Sequence, residues 1–466
     1  LYNQEQYDIN GPTTLFSSLP QRKQGVAGRV SYSYDGRYYI EGNFGYNGSE
    51  NFAKGHRFGF FPSIAVGYNI SNEKFWQPIK PVISNLKIRG SWGLVGNDAT
   101  NAGRFAYMED LVLGGSDSYT TGIRQDTYYS GPSWNRYFNP DLTWEVGEKI
   151  NLGLDLQLFN DFNLTFDIFR EKRRDIFMTR ENSIPEIVGT GETKITSNNG
   201  EMENKGLDLA IDYNKQITKD FFLSFKSTLT FARNKVLKMD EPPYFEYPGL
   251  SDVGHPLGTY WGYVADGLFP DQETIDNSPR QDLGYTPQPG DIKYVNQPNA
   301  KGEYDNVINS NDRVAIGHPY DPELVYGFGP SMKWKNWDFS FFFQGVARTS
   351  FMMYGMHPFG TTSIKNMLQF VADDHWSVDN PNPNAAYPRL TKDSNGNNDQ
   401  YSTYWLRNAA FLKLKNAEIG YTYKGMRFYL SGVNLLTFSP FKHWDPEMGG
   451  GNGLYYPTQR VFNIGF

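Results

Sequence analysis

The sequence predicts an all-β fold, a transmembrane antiparallel β-barrel, and three observations favour it. Apolar and polar residues alternate along many segments, so that each predicted strand has one apolar face. The alternating segments run for about 9 to 15 residues, whereas strands of soluble sheets usually have about 5 or 6. Tight turns and long loops follow one another between the segments, as in barrels with turns on one side of the membrane and loops on the other.

Alternation is clearest between residues 86 and 231. Leu152, Leu154 and Leu156, for example, lie opposite Gly153 and Asp155. Ten residues at about 3.4 Å each, tilted by about 40°, rise roughly 25 Å, which is the height of a barrel's apolar band. We expect the charged residues on the polar faces to point into the barrel lumen. They are Lys87, Arg89, Asp155, Asp167, Asp208, Asp212 and Lys226.

The predicted connections fall into two groups by length. Tight turns are predicted at 35–36, 160–161, 218–220, 336 and 424–425. Long loops cover about 98–141, 179–200, 236–321, 350–404 and 438–455, and the segment 71–84 is a longer link on the turn side. A soluble β-sandwich or propeller would explain the alternation, but it would explain neither the strand length nor this asymmetry.

About thirteen strands are predicted, whereas a bacterial barrel made from one chain has an even number. An open sheet in lipid would leave unpaired backbone groups along each edge, and each such group costs several kcal/mol. The sequence also begins at Leu1, without an initiator Met or a signal peptide. We therefore expect residues 1–466 to be the carboxy-terminal portion of one barrel domain, preceded in the precursor by further strands.

The last six residues alternate as well. Phe462, Ile464 and Phe466 share one face of the final predicted strand. A last strand that ends on an aromatic residue resembles the end of a bacterial outer-membrane barrel. We expect these three residues to form the signal for the barrel-assembly machinery, and the apolar strand faces to contact outer-membrane lipid. The predicted location is the outer membrane of a Gram-negative bacterium.

Composition agrees with a β-rich envelope protein. Hydrophobic residues make up 39% of the chain, and no apolar run approaches the roughly 18 residues that a spanning helix needs. Aromatic residues reach 16%, as expected for barrels with aromatic belts. The net charge of −7 argues against a nucleic-acid partner. Since the sequence has no Cys, thiolate metal sites are excluded.

No motif predicts catalysis, a metal site or a cofactor. The six histidines, at positions 56, 255, 318, 357, 375 and 443, lack metal-ligand spacing. Neither a nucleophile elbow nor a phosphate-cradling loop is present. A glycosidase needs only two carboxylates about 5 to 9 Å apart, but no local motif marks such a pair. We expect the protein not to be an enzyme.

Aromatic residues in the predicted loops are the candidate substrate contacts. Aromatic faces stack on sugar rings, and the same side chains also anchor barrels at the membrane interface. Packing within a loop or an interfacial girdle is therefore the alternative role for each of them. The candidates are Tyr128, Tyr129, Trp134, Tyr260, Trp261 and Trp376.

Ordered segments along almost the whole chain resemble one protein family. They lie at 61–68, 86–93, 96–97, 139–145, 204–209, 289–294, 326–329, 411–416, 432–437 and 445–447. Each segment alone is weak, but the ordered set resembles the carboxy-terminal barrel of the SusC/RagA family of TonB-dependent outer-membrane transporters from Bacteroidota.

The resemblance implies a 22-stranded barrel with an amino-terminal plug, of which this chain holds about the last thirteen strands. It also implies import of an oligosaccharide or a peptide, together with a SusD-like surface lipoprotein. Energy would come from TonB, which acts through an amino-terminal part outside this chain. Two alternatives stay open: a passive outer-membrane porin, and a secreted carbohydrate-binding β protein without transport.

The sequence departs from the family pattern after residues 292–294. Family members often carry there an Asp/Asn-Gly-Asp-Gly loop whose closely spaced oxygens suit calcium. Here Lys301 stands where a ligand is needed, and the remaining acids, Asp305 and Asp312, are sparse. We therefore expect no metal at this position.

Overall fold

A single antiparallel sheet dominates the computed structural model, which describes residues 2–7, 15–99, 103–114, 118–180, 182–188, 195–354, 368–391 and 394–466. In chain order the strands are β1 (Tyr2–Tyr7), β2 (Gln21–Tyr34), β3 (Tyr38–Ser49), β4 (Phe58–Asn69), β5 (Ile83–Asn97), β6 (Asp110–Val112), β7 (Ser118–Thr121), β8 (Thr127–Ser130), β9 (Ser133–Arg136), β10 (Glu145–Leu158), β11 (Phe162–Thr179), β12 (Thr196–Thr218), β13 (Phe221–Lys238), β14 (Tyr260–Gly262), β15 (Ala265–Leu268), β16 (Arg280–Gln281), β17 (Ile292–Tyr294), β18 (Val307–Ile308), β19 (Val314–Ile316), β20 (Leu324–Trp334), β21 (Trp337–Ala347), β22 (Ser350–Met352), β23 (Leu406–Asn408), β24 (Phe411–Tyr423), β25 (Met426–Phe438) and β26 (Val461–Gly465).

Helices are few and short in the part of the chain that the structure describes. The α-helices are α1 (Leu15–Ser18), α2 (Gln272–Asp276) and α3 (Gln369–Asp373). Single 3₁₀ turns cover Ile70–Asn72, Lys74–Trp76, Glu186–Val188, Pro248–Leu250, Ser310–Asp312 and Pro446–Met448. Within the described ranges, no helix has the length and apolar character needed to cross a bilayer.

Among the described residues, fourteen strands form the large sheet, and each pairs with the next in an up-and-down meander. Their order is β1, β2, β3, β4, β5, β10, β11, β12, β13, β20, β21, β24, β25 and β26. The sheet has one strand more than the thirteen expected, because the polar sequence of β1 carries no apolar alternation. Its backbone nevertheless pairs with β2 from Tyr2 opposite Val26 to Tyr7 opposite Gln21. Since the count is even, parity no longer requires further strands.

The connections alternate between the two ends of the sheet, as predicted. At the turn end they are 35–37, 70–82, 159–161, 219–220, 335–336 and 424–425. At the loop end they include 50–57, 98–144, 180–195, 239–323, 348–410 and 439–460. Asp35 and Gly36 have φ of 52° and 59°, and Lys424 and Gly425 have φ of 49° and 85°. Two successive left-handed residues give the tight turn whose twist matches the flanking strands.

One face of the sheet is apolar and exposed. In register across β10 to β13 lie Leu152, Ile168, Leu207 and Phe231. Rows of this kind repeat along the strands, and many of their large apolar side chains are exposed. An apolar surface of this extent marks contact with a membrane or with another protein.

A row of aromatic side chains forms the edge of this apolar face at the turn end. Phe221, Trp334, Trp337, Tyr421 and Phe428 lie opposite one another on β13, β20, β21, β24 and β25. The Trp337 and Tyr421 ring centroids are 4.7 Å apart. Aromatic belts at the two edges of the apolar band are typical of transmembrane barrels, since the rings favour the interface between hydrocarbon and water.

The carboxy-terminal strand β26 pairs with β25. Phe462 lies opposite Gly432, and Ile464 lies opposite Leu430, so both side chains share the apolar face. Phe462, Ile464 and Phe466 are all largely exposed. The expected common face of Phe462 and Ile464 is therefore present, while their role as an assembly signal stays a prediction.

Three connections, 239–323, 348–410 and 439–460, share one buried core at the loop end of the sheet. Tyr294, Trp405 and Phe441, one from each connection, are buried in it. Backbone hydrogen bonds join the connections as well, from Tyr263 N to Tyr401 O at 2.9 Å. We call this unit the loop core. Because it has its own apolar interior, these loops hold a defined shape above the sheet.

A second, smaller core lies where connection 98–144 meets connection 50–57. Leu142 and Trp144 pack there with Phe52 and Phe61. The Trp144 ring centroid lies 5.3 Å from that of Phe61, in an edge-on arrangement. The family-like segment 139–145 thus supplies apolar anchors that tie a loop to the sheet.

Candidate functional site

The seven charged residues predicted to face the lumen all lie on the polar face of the sheet. The register places Lys87 opposite Asp155 on neighbouring strands. Asp167 lies opposite Asp208. Asp212 lies opposite Lys226, with 3.9 Å between carboxylate and ammonium. Arg89 belongs to the same face through its contacts with Asp155 and Asp167, so the structure brings the set together. That this face lines a lumen stays a prediction.

Arg89 joins three strands through two carboxylates. Its Nη2 lies 2.6 Å from Asp167 Oδ2 on β11, and its Nε lies 3.2 Å from Asp155 Oδ2 on β10. Gly153 is directly between Arg89 and Asp167 in the register. A Cβ on Gly153 would come within 2.5 Å of Arg89 Cζ, so the guanidinium crosses the space that a side chain would fill. We call this arrangement the Arg89 bridge.

The same arrangement occurs a second time, near the turn end of β21, β24 and β25. Arg427 on β25 donates a bidentate pair of hydrogen bonds to Asp338 on β21, with 3.2 Å from Nε to Oδ2, and it also binds Glu418. Gly420 on β24 occupies the crossing point, where a Cβ would lie 2.6 Å from Asp338 Oδ2. We call this arrangement the Arg427 bridge.

A cavity of about 310 Å³ lies on the polar face at its loop end. Asn204 and Asn234, opposite each other on β12 and β13, line it together with Glu171 and Asp321. The loop segment above it is fixed by a hydrogen bond of 2.6 Å from Leu257 N to Asn234 Oδ1. Amide and carboxylate groups around an open space of this size can bind hydroxyl or peptide groups of a ligand.

Asp291 organises the loop core. Its side chain is fully buried, and Oδ1 accepts hydrogen bonds from Arg389 Nε at 2.7 Å, Asn395 Nδ2 at 3.0 Å and Asn398 Nδ2 at 2.8 Å. A buried carboxylate requires such donors, because its desolvation is otherwise costly. Asp291 belongs to the family-like segment 289–294, which therefore holds the 394–400 segment in place.

The residues that Asp291 positions line a cleft of about 320 Å³ in the loop core. Its floor is formed by the buried side chains of Tyr387 and Trp405, and Tyr354 and Tyr401 are exposed at its edge. Arg389, Asn398 and Gln400 contribute polar groups to its wall. We call it the aromatic cleft. Aromatic faces beside amide and guanidinium groups can hold a sugar ring or a peptide side chain.

The tyrosines below the cleft stay neutral at physiological pH. Burial raises the pKa of Tyr404, and it raises the pKa of Tyr387 as well. The Tyr404 hydroxyl donates a hydrogen bond of 2.9 Å to Ala385 O. Burial also lowers the pKa of His443, whose ring stacks on Phe370 with centroids 4.2 Å apart. The loop core therefore keeps these polar groups uncharged.

The predicted aromatics of connection 98–144 lie away from the aromatic cleft. Tyr128 and Tyr129 belong to the hairpin of β7 and β8 and are exposed. The Tyr129 ring stacks on that of Tyr119 with centroids 5.2 Å apart. Trp134 stacks on Tyr137 at 5.5 Å. Ring contact within the loop is their observed role, and substrate contact stays a prediction.

The other predicted aromatics belong to the loop core. Trp376 is buried, and a Cβ on Gly290 would lie 2.2 Å from its ring, so it packs inside the core and not at a surface. Trp261 Nε1 donates to Asp252 Oδ1 at 2.6 Å. Tyr260 is half-buried and packs on the core. None of Tyr260, Trp261 and Trp376 lines the aromatic cleft, and contact of these three with substrate stays a prediction.

No group of three or more potential ligands for a metal ion occurs within the residues that the structure covers. His357 lies outside them. At the family's calcium position, Asp312 accepts backbone hydrogen bonds from Gln297 N at 2.7 Å and Asn309 N at 2.8 Å. Burial raises the pKa of Asp312. Its carboxylate thus fastens a turn, and the expected lack of a metal stays a prediction.

Comparison with known proteins places the chain in a family. The family model described as "TonB dependent receptor-like, beta-barrel" matches residues 2–435. The chain belongs to this TonB-dependent receptor family. Its curated relatives include the TonB-dependent receptor SusC of Bacteroides thetaiotaomicron, 29% identical over 491 residues, and TonB-dependent receptor P3 of Formosa agariphila, 27% identical over 475 residues.

These relatives are about twice as long. The match to SusC covers 100% of this chain and 45% of SusC, and the match to P3 covers 94% and 45%. The chain thus spans about half the length of the curated relatives it matches. The match to SusC agrees with the resemblance to the SusC/RagA family that the sequence segments carry.

Solved structures support the fold. The chain is similar to the RagAB peptide importer in its open-open state, with a TM-score of 0.73 and 21% identity over 97% of this chain and 48% of the other. For the closed-closed state the TM-score is 0.71, over 97% and 49%. TonB-dependent receptors are outer-membrane β-barrels, so the predicted location is confirmed. The alternative of a secreted carbohydrate-binding protein is wrong.

Sequence reasoning missed Tyr354 and Tyr401 of the aromatic cleft. Tyr401 does follow an asparagine-rich run, 395–398, and precedes Tyr404 and Trp405. A cluster of aromatics beside amides in a long loop was therefore a usable signal. Tyr354 had none, because only the fold of the loop core brings it to the cleft.

Proposed function

We propose that residues 1–466 form the carboxy-terminal part of the barrel of an outer-membrane importer for an oligosaccharide or peptide nutrient. In this proposal the whole barrel has 22 strands, and an amino-terminal plug receives energy from TonB. A SusD-like surface lipoprotein works with the loop end, and the barrel-assembly machinery reads the last strand. The proposal includes no catalytic step, no cofactor and no metal.

The observation that carries the proposal is the contrast between the two ends of the sheet. One end has short turns, whereas the other carries a loop core with its own apolar interior and the aromatic cleft. A preformed binding surface at one end of the polar strand face suits capture of a nutrient, followed by its passage along that face. A general diffusion pore needs no such preformed cleft.

The cavity beside Asn204 and Asn234 supports a path from the cleft onto the polar face. It lies at the loop end of the polar face on β12 and β13, beneath loop residues 256–257 and 319–323. Both cavities offer amides, carboxylates and apolar surface. These groups suit sugars and peptides alike, and the RagAB structures are described as those of a peptide importer.

Growth on single nutrients tests the proposal. A strain of the producing bacterium that lacks the full-length gene is compared with the wild type and a complemented strain on individual oligosaccharides and peptides. We expect one nutrient class to be lost on deletion and to require TonB. Uptake that continues without TonB would instead support a passive porin, and unchanged growth on every nutrient would reject import.

Replacement of the exposed cleft aromatics tests the site. In the full-length protein, Tyr354→Ala combined with Tyr401→Ala should raise the apparent KM for uptake about tenfold, since aromatic contacts each contribute about 0.5 to 1.5 kcal/mol. Tyr456→Ala is the matched control, because Tyr456 is exposed in connection 439–460 and does not line the cleft. Equal KM values for all three proteins would remove the cleft from the proposal.

A further inference from the structure

The apolar face ends differently at the loop end than at the turn end. On β13 the apolar side chains run from Phe221 to Phe231, about ten residues and roughly 25 Å of membrane height. The next residue on the same face is Arg233. On β11 and β12 the residue two positions beyond the apolar band, toward the loop end, is also a cation. Arg170 follows Ile168 on β11, and Lys205 precedes Leu207 on β12.

These three cations lie side by side. In the register, Arg170 is opposite Lys205, and Lys205 is opposite Arg233. Their side chains are about half exposed. Like charges directly opposite each other destabilise a sheet, so the arrangement calls for counter-charges. We name Arg170, Lys205 and Arg233 the cation row.

The carboxylates near the row do not neutralise it. Arg170 Nε and Lys205 Nζ share Glu203, each at 2.6 Å. Arg233 Nε shares Glu323 with Arg348 Nε, each at 2.7 Å. Two cations on one carboxylate leave one net positive charge in each group. This excess of positive charge is confined to the row, whereas the whole chain carries a net charge of −7.

The cation row does not continue onto β10. On β10 its neighbour in the register is Ile150, opposite Arg170. At the turn end the matching position holds the aromatic row that includes Trp334 and Trp337. A short row of cations directly above an apolar band lies at the depth of lipid headgroups. In a barrel whose loops face the exterior, that depth belongs to the outer leaflet.

We propose that the cation row binds the phosphate of an outer-leaflet lipid. The lipid's acyl chains would lie along the apolar face beside Ile168, Leu207 and Phe231, and its phosphate would accept hydrogen bonds from Arg170, Lys205 and Arg233. An anion at this position supplies the counter-charge that Glu203 and Glu323 leave incomplete. The occupant is a membrane lipid and not free phosphate, because the row continues directly into the apolar band.

Lipid binding to the full-length protein in detergent tests this proposal. The probes are lipid A with two phosphates and lipid A from which the phosphates have been removed, and binding is measured by native mass spectrometry. Each basic residue near an anionic lipid surface contributes about fivefold, so three predict a preference for the phosphorylated form on the order of a hundredfold. Inorganic phosphate at millimolar concentration should not compete.

Two variants and a control complete the experiment. The combination of Arg170→Gln, Lys205→Gln and Arg233→Gln should remove the preference, whereas Lys219→Gln, Lys335→Gln and Lys424→Gln, three exposed cations of the turns, should keep it. If the first combination does not assemble, Lys205→Gln alone should lower the preference about fivefold. Equal binding of both lipids by the wild type, an unchanged preference in the row variants, or competition by inorganic phosphate would overturn the proposal.

Discussion

The Arg89 bridge and the Arg427 bridge use the same parts in different surroundings. In each, an arginine crosses a glycine of the neighbouring strand to reach an aspartate two strands away, and a second acid on the glycine strand joins in. The Asp167 side chain is 12% exposed, whereas the Asp338 side chain is 34% exposed. Since the contacts match, the difference in burial should decide how much each bridge contributes.

Burial changes mainly what happens when one partner is lost. A carboxylate that keeps its water shell tolerates the loss of its cation, but a buried one is left uncompensated. We therefore expect loss of the Arg89 bridge to lower the stability of the fold more than loss of the Arg427 bridge. We expect three results that test this difference and a fourth at a contact outside the bridges, given from the largest effect to the smallest.

The largest effect is expected from Arg89→Leu. Loss of the guanidinium leaves Asp155 and the buried Asp167 without a cation, which should cost about 2 to 3 kcal/mol, below the full range for buried pairs because Arg89 itself is partly exposed. The temperature at which the full-length protein loses its folded band in a semi-native gel measures this. Arg29→Leu, at an exposed arginine paired with Glu41, is the control and should change little.

Gly153→Ala should come second. Its new Cβ would lie 2.5 Å from Arg89 Cζ and 2.7 Å from Asp167 Oδ1, so the two side chains must shift and their contact is disrupted, and we expect a cost of about 1 to 2 kcal/mol. Gly420→Ala is the matched substitution. It should lower the stability of the fold less, because the Arg427 bridge is more exposed. Equal losses of folded-band temperature in the two variants would show that burial does not set the difference.

Arg427→Leu should have a smaller effect than Arg89→Leu, of about 1 kcal/mol, since water can reach Asp338 and Glu418. The same gel assay applies. The double variant with Arg89→Leu should be additive, because the two bridges share no residue. A larger loss from Arg427→Leu than from Arg89→Leu would contradict the ranking.

A contact outside the strands should give the smallest change and a dependence on pH. Burial opposes ionisation of Asp445, but hydrogen bonds from Lys413 and Thr458 outweigh it and hold the pKa of Asp445 below its usual value. A lowered pKa stabilises the fold above the ordinary aspartate pKa of about 3.9, and this stabilisation is lost as the pH falls through the folded-state value. Asp445→Asn should therefore lower the unfolding temperature at pH 6 and have less effect near pH 3. An Asp445→Asn effect that is the same at both pH values would contradict this account.

The period of two was enough to predict the two faces of the sheet. Residues such as Asp155 and Lys226 face the polar side because neighbouring apolar residues fix the phase of each strand. It could not predict that Arg89 reaches Asp167, because that contact depends on Gly153 in the intervening strand. It also missed β1, where pairing of the backbone with β2 overrides a polar sequence.

The loop core was the least predictable region. Asp291 and Asn398 are separated by more than a hundred residues, and no local pattern indicates that they bond. Trp376 resembled a surface aromatic by its position in a predicted loop, but the fold buries it. The contacts between long loops could not be predicted from the sequence, because they depend on which residues are buried together and not on a periodic pattern.

One irregularity in β24 has a consequence for how this strand tolerates change. Its pairing with β21 skips Lys415, so that Asn416 and Leu414 face consecutive residues Phe342 and Phe343. The polar side chains therefore occupy even positions at Asn416 and Glu418 but an odd position at Lys413, whose Nζ lies 2.7 Å from Asp445 Oδ2. Deleting Lys415 would restore regular alternation along β24. Because the residues on either side of Lys415 already pair with consecutive residues of β21, Lys413 would keep its polar face and Leu412 and Leu414 their apolar face. Deletion of any other residue between 416 and 423 would instead turn one part of the strand over, so Lys415 is the position of β24 at which a one-residue deletion should be tolerated best.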